Sequence, residues 1–167
     1  MSRHSKRHRG PKKPKRVIES LEIIDLSTEG QGVARTDDGM VLFVSESAPG
    51  DVVSVEVIRE KKRHGFAKVL EVEKPSKERV DPVCRYFGTC GGCAWQHMSA
   101  EAQTLGKSQI LQQVMQRVGK IHLEEAPCIR APEERYGGRT RLRLQVDRHQ
   151  RLGLYQRGTK NLSLIHI

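Results

Sequence analysis

Between residues 17 and 76 the apolar positions fall in short runs separated by glycine and charged breaks. Residues 21–26 are apolar-rich, Gly30 and Gly32 interrupt them, and residues 33–35 resume. Asp37-Asp38-Gly39 is a hairpin turn signal, because Asp-Gly accepts the positive φ that tight hairpins require. Residues 40–44 follow, and Ala48-Pro49-Gly50 turns the chain again. Val53, Val55 and Val57 then alternate with Ser54, Glu56 and Ile58, a period of two that predicts a strand with one face inward. Lys61-Lys62-Arg63-His64-Gly65 reads as a basic loop and residues 66–72 as the closing strand. Five short strands with regular turns predict a small Greek-key barrel of the OB type.

The period lengthens after residue 98. Leu111, Val114, Met115 and Val118 recur at helical spacing and predict a helix over 98–119 with a buried stripe. Ser99 suits the N-cap, Glu101 sits at the positive end of the helix dipole, and Gly119 fits the stop. Residues 121–132 are irregular. Residues 139–146 alternate again: Leu142, Leu144 and Val146 face one way, and Arg139, Arg141 and Arg143 share the spacing between them. Residues 147–151 turn and 152–157 return, which predicts a hairpin with an arginine row on one face. The expected fold class is mostly β with one long helix (α+β).

Charge sharpens this picture. The net charge of +10 is carried by the two ends. Residues 1–16 hold eight Lys/Arg and no acid, whereas residues 17–118 are net acidic. The first sixteen residues have almost nothing apolar to bury and are expected to be a disordered, self-repelling arm that reaches for a polyanion. No apolar run is long enough to span a bilayer, and the basic start lacks the apolar core of a secretory signal. The candidate nucleic-acid contacts are Arg59, Lys61, Lys62, Arg63 and Lys68 around the basic loop, with Arg139, Arg141 and Arg143 on the hairpin. Arginine forks suit phosphate and stack on bases. The competing reading is solvated strand and loop charge. Only Phe43 and Phe66 offer stacking surface in the barrel region.

Three of the four cysteines lie within ten residues, in Cys84-Arg-Tyr-Phe-Gly-Thr-Cys90-Gly-Gly-Cys93. Gly91 and Gly92 tolerate positive φ, let backbone approach a bulky object, and leave N–H groups able to point at sulfur. Zinc uses Cys-x2-Cys pairs, but structural zinc usually joins two of them, and no second short pair is present. One compact three-cysteine loop with a remote fourth ligand fits a cubane iron–sulfur cluster better. Tyr86, Phe87 and Trp95 concentrate around the loop as a wall against solvent or a plug at the junction with the barrel. His97 is open to three readings, ligand, structural residue or nucleic-acid contact, and the family resemblance below, which implies cysteine ligands only, favours the last two.

Residues 81–97, from Asp-Pro-Val-Cys to Ala-Trp-Gln-His, closely resemble the cluster loop of bacterial RNA uracil-C5 methyltransferases, in particular the branch acting on 23S ribosomal RNA. The resemblance covers most of residues 17–160. It implies a TRAM barrel over 17–76, a cluster loop over 77–98, and the truncated start of a central RNA-binding domain over 99–167. It also implies a [4Fe–4S] cluster held by Cys84, Cys90 and Cys93. The family's fourth cysteine follows the central-domain hairpin, so Cys128, which precedes it, does not match and reads as an ordinary thiol. Members of the family transfer a methyl group from S-adenosylmethionine to C5 of a uridine, using a cysteine that adds to C6 and a carboxylate that removes the C5 proton. Those residues and the Rossmann-like domain belong to the family's C-terminal half, and no residue here matches them. The chain thus reads as an N-terminal fragment, monomeric and cytoplasmic, inactive alone, with RNA as partner. The alternatives are a stand-alone zinc-containing RNA-binding protein and a redox module whose cluster cycles.

Overall fold

The structure is a computed structural model, and it describes residues 16–138 and 140–163. Five strands close into a barrel: β1 (Val17–Leu26), β2 (Gly32–Arg35), β3 (Val41–Ser45), β4 (Val52–Glu60) and β5 (His64–Lys74), in the order β1-β2-β3-β5-β4. All pairs are antiparallel except β3 and β5, which run parallel. The predicted turns are in place. Gly39 has φ 79° and Gly50 has φ 86°, values open to glycine at no steric cost. The basic turn is shorter than the sequence suggests. Lys61 N–H donates to the His64 carbonyl at 2.8 Å, so His64 already belongs to β5.

Alternation builds the core. Along β4, Val53, Val55 and Val57 point inward, and Leu42 and Val44 on β3 and Ala67 on β5 meet them with Leu21, Ile23 and Ala34. Closure needs β1 to pair with β2 at one end and β4 at the other, and its register shifts between Ile18 and Leu21. At that bulge Ser20 has φ 51°. Its N–H and hydroxyl donate to the Glu73 carboxylate at 2.9 and 2.8 Å, while Ser54 Oγ donates at 2.6 Å. These bonds hold the Glu73 carboxyl below the usual range.

The helix α1 spans Ala100–Arg117, and the Ser99 hydroxyl accepts from Ala102 N–H at 3.1 Å, as an N-cap should. The predicted stripe is corrected. Leu111 and Val118 are exposed and Val114 and Met115 only half-buried, whereas the buried helix positions are Gly106 and Ser108. Helical spacing reports a face that would be buried if covered; among the described residues this one is covered only in part. Gly106 is where α1 meets the barrel. A Cβ there would lie 2.7 Å from Leu26 Cδ1, so glycine permits the close approach.

The hairpin is also shorter than predicted. Only β6 (Gln145–Val146) and β7 (Leu152–Gly153) pair. Asp147 organises the turn by accepting from His149 N–H at 2.8 Å, Arg151 N–H at 3.0 Å and Arg151 Nε at 2.8 Å. Residues 140–144 form no strand, and Leu142 and Val146 are exposed instead of facing inward. Arg139 and residues 1–15 of the expected arm lie outside the described residues.

Candidate nucleic-acid interface and cysteine loop

Strand register places an aromatic cluster on the outside of the barrel. Phe43 sits opposite Phe66, and Val41 opposite His64, on the parallel β3–β5 pair. Because alternate residues face inward, Phe43, His64 and Phe66 all face out. Their ring centroids are 5.5 to 5.8 Å apart, with Phe43 and Phe66 tilted and His64 edge-on to both. Register continues the row outward. Val33 on β2 flanks Phe43, and Arg59 on β4 flanks Phe66. Lys68 lies two residues beyond Phe66 on the same face, and Lys61 Nζ stands 5.7 Å from the Phe66 centroid, within cation–π range.

Of the predicted basic residues, the structure therefore gathers Arg59, Lys61 and Lys68 around the aromatic rings, with Lys62 and Arg63 exposed in the adjoining turn. Arg141 and Arg143 are exposed in unpaired chain, so the expected arginine row on a sheet does not form among the described residues. Sequence reasoning missed His64 and Arg35. Both were legible from period two, which places Arg35 opposite Val41 and Val41 opposite His64, but only after the β3–β5 pairing is known.

The cysteine loop is an excursion clamped at its base. Arg79 bridges to Met98, Val80 N–H donates to the His97 carbonyl at 3.0 Å, and Ser99 N–H donates to the Glu78 carbonyl at 2.7 Å. Arg79 also locks this base to the barrel. Its Nη2 and Nε reach Asp51 at 2.6 and 3.1 Å, and Nη2 donates to the Glu46 carbonyl at 3.0 Å. Asp51 is fully buried and accepts further bonds from Ala48 and Ser76 N–H groups at 2.6 and 2.9 Å. Burial opposes its ionisation, yet the Arg79 guanidinium and the two backbone donors outweigh it and hold the carboxyl below the usual range.

At its tip the loop docks on residues 155–157. Cys90 bridges to Gln156, Gly91 N–H donates to the Tyr155 carbonyl at 2.9 Å, and Arg157 N–H donates to the Thr89 carbonyl at 3.1 Å. Of the reasons expected for Gly91 and Gly92, close approach and an N–H aimed at sulfur hold and positive φ does not. Neither has positive φ, which falls at Gly88 instead. A Cβ at Gly91 would stand 2.9 Å from the Tyr155 carbonyl oxygen, and one at Gly92 would stand 2.9 Å from Leu154 Cδ1. The glycines serve close approach.

Two sulfurs accept hydrogen bonds: Gly92 N–H lies 3.4 Å from Cys90 Sγ and Gln96 Nε2 lies 3.2 Å from Cys93 Sγ. This sulfur-directed donor pattern suits thiolate ligands. The three thiols are not, however, gathered into a metal-ready group. Among the described residues no cluster of three or more His, Cys, Asp or Glu is arranged to hold an ion. Cys84 is half-buried, Cys90 buried, Cys93 exposed and Cys128 exposed.

The aromatic residues divide between two tasks. Trp95 plugs the junction: its Nε1 donates to the Gly30 carbonyl at 2.8 Å, and its ring packs with Leu26, Ala48 and Met98. Phe87 covers His97, with centroids 5.4 Å apart. His97 is only 2 % exposed and neither ring nitrogen has a hydrogen-bond partner. Burial pushes the imidazole below the usual histidine range. The nearby Ser47 backbone opposes this only in part, and the Arg79 charge adds to it. His97 is thus a neutral packing residue, out of reach of RNA. Arg157, unnoticed in the sequence, caps the loop by donating to the Cys93 carbonyl and standing 5.9 Å from the Phe87 centroid.

Comparison with known proteins agrees with this architecture. Residues 18–70 match the TRAM domain family. A protein of Halomonas elongata called 23S rRNA (uracil(1939)-C(5))-methyltransferase RlmD is 41% identical over 145 residues, covering 85% of this chain and 30% of that protein. The protein of the same name from Thiobacillus denitrificans is 37% identical over 123 residues, 73% of this chain and 28% of that protein. An uncharacterized RNA methyltransferase of Porphyromonas gingivalis is 40% identical over 114 residues, 68% of this chain and 24% of that protein. The chain spans less than a third of the length of these relatives. Residues 18–70 are thus similar to the TRAM domain family, and most of the chain is similar to the N-terminal part of bacterial proteins called 23S rRNA (uracil-C5)-methyltransferases.

Proposed function

We propose that this chain is the RNA-docking and [4Fe–4S]-binding portion of an enzyme that transfers a methyl group from S-adenosylmethionine to C5 of a uridine in 23S ribosomal RNA, working in the cytoplasm as a monomer. The observation that carries the reading is the outer barrel face, where Phe43, His64 and Phe66 lie within 5.8 Å of one another beside Arg59, Lys61 and Lys68. Aromatic rings stack on unpaired bases of any identity for about 1–3 kcal/mol each, and the flanking cations track the phosphates. Ribosomal RNA is the substrate that the names of the Halomonas and Thiobacillus proteins carry. S-adenosylmethionine and the catalytic residues are assigned to parts of the enzyme beyond this chain, which alone transfers no methyl group.

Cys84, Cys90 and Cys93 are assigned as three cluster ligands, with the fourth thiolate supplied from beyond Ile167. What supports this is the soft donor set and the N–H bonds already directed at Cys90 and Cys93. When bound, the cluster cross-links the loop through its thiolates. The chain's own part is to clamp the loop base through Arg79, to dock its tip on residues 155–157, and to screen it with Phe87.

The barrel reading is tested by binding a single-stranded fragment of 23S rRNA. Phe43→Ala and Phe66→Ala are each expected to weaken binding about tenfold; unchanged affinity in both would refute it. The cluster is tested on the complete protein purified without oxygen, which should carry about four irons per chain and absorb broadly in the visible. Stoichiometric zinc with no iron would overturn that assignment.

A further inference from the structure

A second basic cleft adjoins the aromatic face. It has a volume of about 430 Å³, lies between the barrel and α1, and is lined by Arg35, Val41, Phe43, Asp25, Gln113 and Arg117. On the other side of Arg35 a cleft of about 620 Å³ is lined by Lys61, Lys62 and Arg63 with Asp38 and Glu60. The two share Arg35 and Val41, so they form one strip from the β4–β5 turn to the last turn of the helix. Phe43 lies on its floor.

We infer that single-stranded RNA lying on the barrel face continues past Phe43 into the cleft beside α1, where Arg35 and Arg117 hold its phosphates. This rests on the RNA reading above and extends it to residues on a second element.

Charge along the strip favours an anion once the partners of its acids are considered. Asp38 and Glu60 each lie 3.6 Å from the Arg16 guanidinium. Asp25 accepts from Leu26 N–H at 2.7 Å and from the Gln113 amide at 3.2 Å. Arg35 and Arg117 are exposed, and among the described residues neither has an ion-pair partner. Arg117 also stands at the negative end of the helix dipole, where it offsets the field that this end presents to a phosphate. The cleft is in the size range of small-ligand sites. Phe43 selects for a single strand, because a duplex keeps its bases stacked inward and presents no ring to it.

The experiment is fluorescence anisotropy of a labelled oligouridine of about twelve nucleotides, a length within the span of OB-type sites, with the full 167-residue chain across a salt series. Arg35→Gln and Arg117→Gln are each expected to reduce the log–log salt slope by about 0.7, and the pair by twice that. Lys107→Gln, exposed on the same helix but outside the cleft, should leave the slope unchanged. Emission from the sole tryptophan, Trp95, reports that each variant keeps its fold. If the double variant keeps the parental slope while Lys61→Gln lowers it, RNA stops at the basic turn and the cleft assignment is wrong, although the barrel still binds. If the parent itself fails to bind, both readings fall. A slope lost equally on Lys107→Gln would show diffuse attraction and also overturn the cleft.

Discussion

A carboxylate with no solvent exposure survives in this protein because four donors meet it. Asp51 is held by Arg79 twice and by two backbone N–H groups. Removing Arg79 would strand that charge. Breaking a buried pair costs about 3–5 kcal/mol, and the Arg79 side chain is 20 % exposed, so Arg79→Ala is expected near the lower figure, about 3 kcal/mol by urea unfolding. The pH dependence has a definite sign. The folded carboxyl lies below its usual value, so its stabilisation is fully present above about pH 4, the unfolded value. It is lost as pH falls through the folded value. Urea midpoints measured from pH 7 to pH 3 should drop in acid for the parent and drop less for Asp51→Asn; parallel curves would mean that this pair does not govern acid stability. Asp147 offers a second reading at the same scale. The Arg151 N–H, then the Arg151 side chain, hold its carboxyl down to about 2. A carbon-detected NMR titration should find it there, and a midpoint near 4 would show that the turn does not form in solution.

Among the elements, the five strands were legible because their information is local. Val53, Val55 and Val57 alternate whatever their partners are, and Asp-Gly specifies its turn within two residues. The helix illustrates the limit. Its boundaries follow from Ser99, a local signal, but which side is buried depends on what packs there. Gly106 and Ser108 face the barrel and the irregular chain, and neither residue is apolar enough to mark a core face. Leu105, Leu111 and Val118 remain 40–78 % exposed. Leu105→Lys and Val118→Lys in this chain should therefore each change stability by no more than about 0.5 kcal/mol, as exposed substitutions do. A buried stripe would cost about 2 kcal/mol or more per position. Chemical denaturation followed by Trp95 emission separates the two, and a large loss would restore the stripe. The β6–β7 hairpin forms but is short, for a related reason. Alternation at 139–146 predicts a strand only if a partner runs alongside, and the pairing stops at Gln145 opposite Gly153, leaving residues 140–144 outside any strand.

At the scale of the molecule, the cysteine spacing was plain in the sequence, while the way the loop is held was not. Arg79 reaches Asp51 across 28 residues and Arg157 reaches the Cys93 carbonyl across 64, and no local pattern announces such pairs. Electrostatics at this scale reverses the usual order, because the densest positive charge of the sequence falls in residues 1–15 and not in the described residues. The cations of the barrel face and cleft are interleaved with acids, whereas residues 1–15 carry seven Lys/Arg and no acid. Each cation that displaces a counterion from single-stranded RNA adds about 0.7 to the salt slope. Deletion should stop at residue 15, because Arg16 belongs to the fold: its carbonyl accepts from Val57 N–H at 2.8 Å and its guanidinium faces Asp38 and Glu60. The expected outcome is a shallower salt dependence with unfolding unchanged, since the deleted sequence carries charge and almost nothing apolar. The aromatic term survives deletion, because stacking on Phe43 and Phe66 is insensitive to salt. At high salt the truncated and parental chains should therefore converge in affinity. Parallel lines of equal slope would show that the arm does not touch the RNA, and that the cations of the barrel and cleft carry the attraction alone.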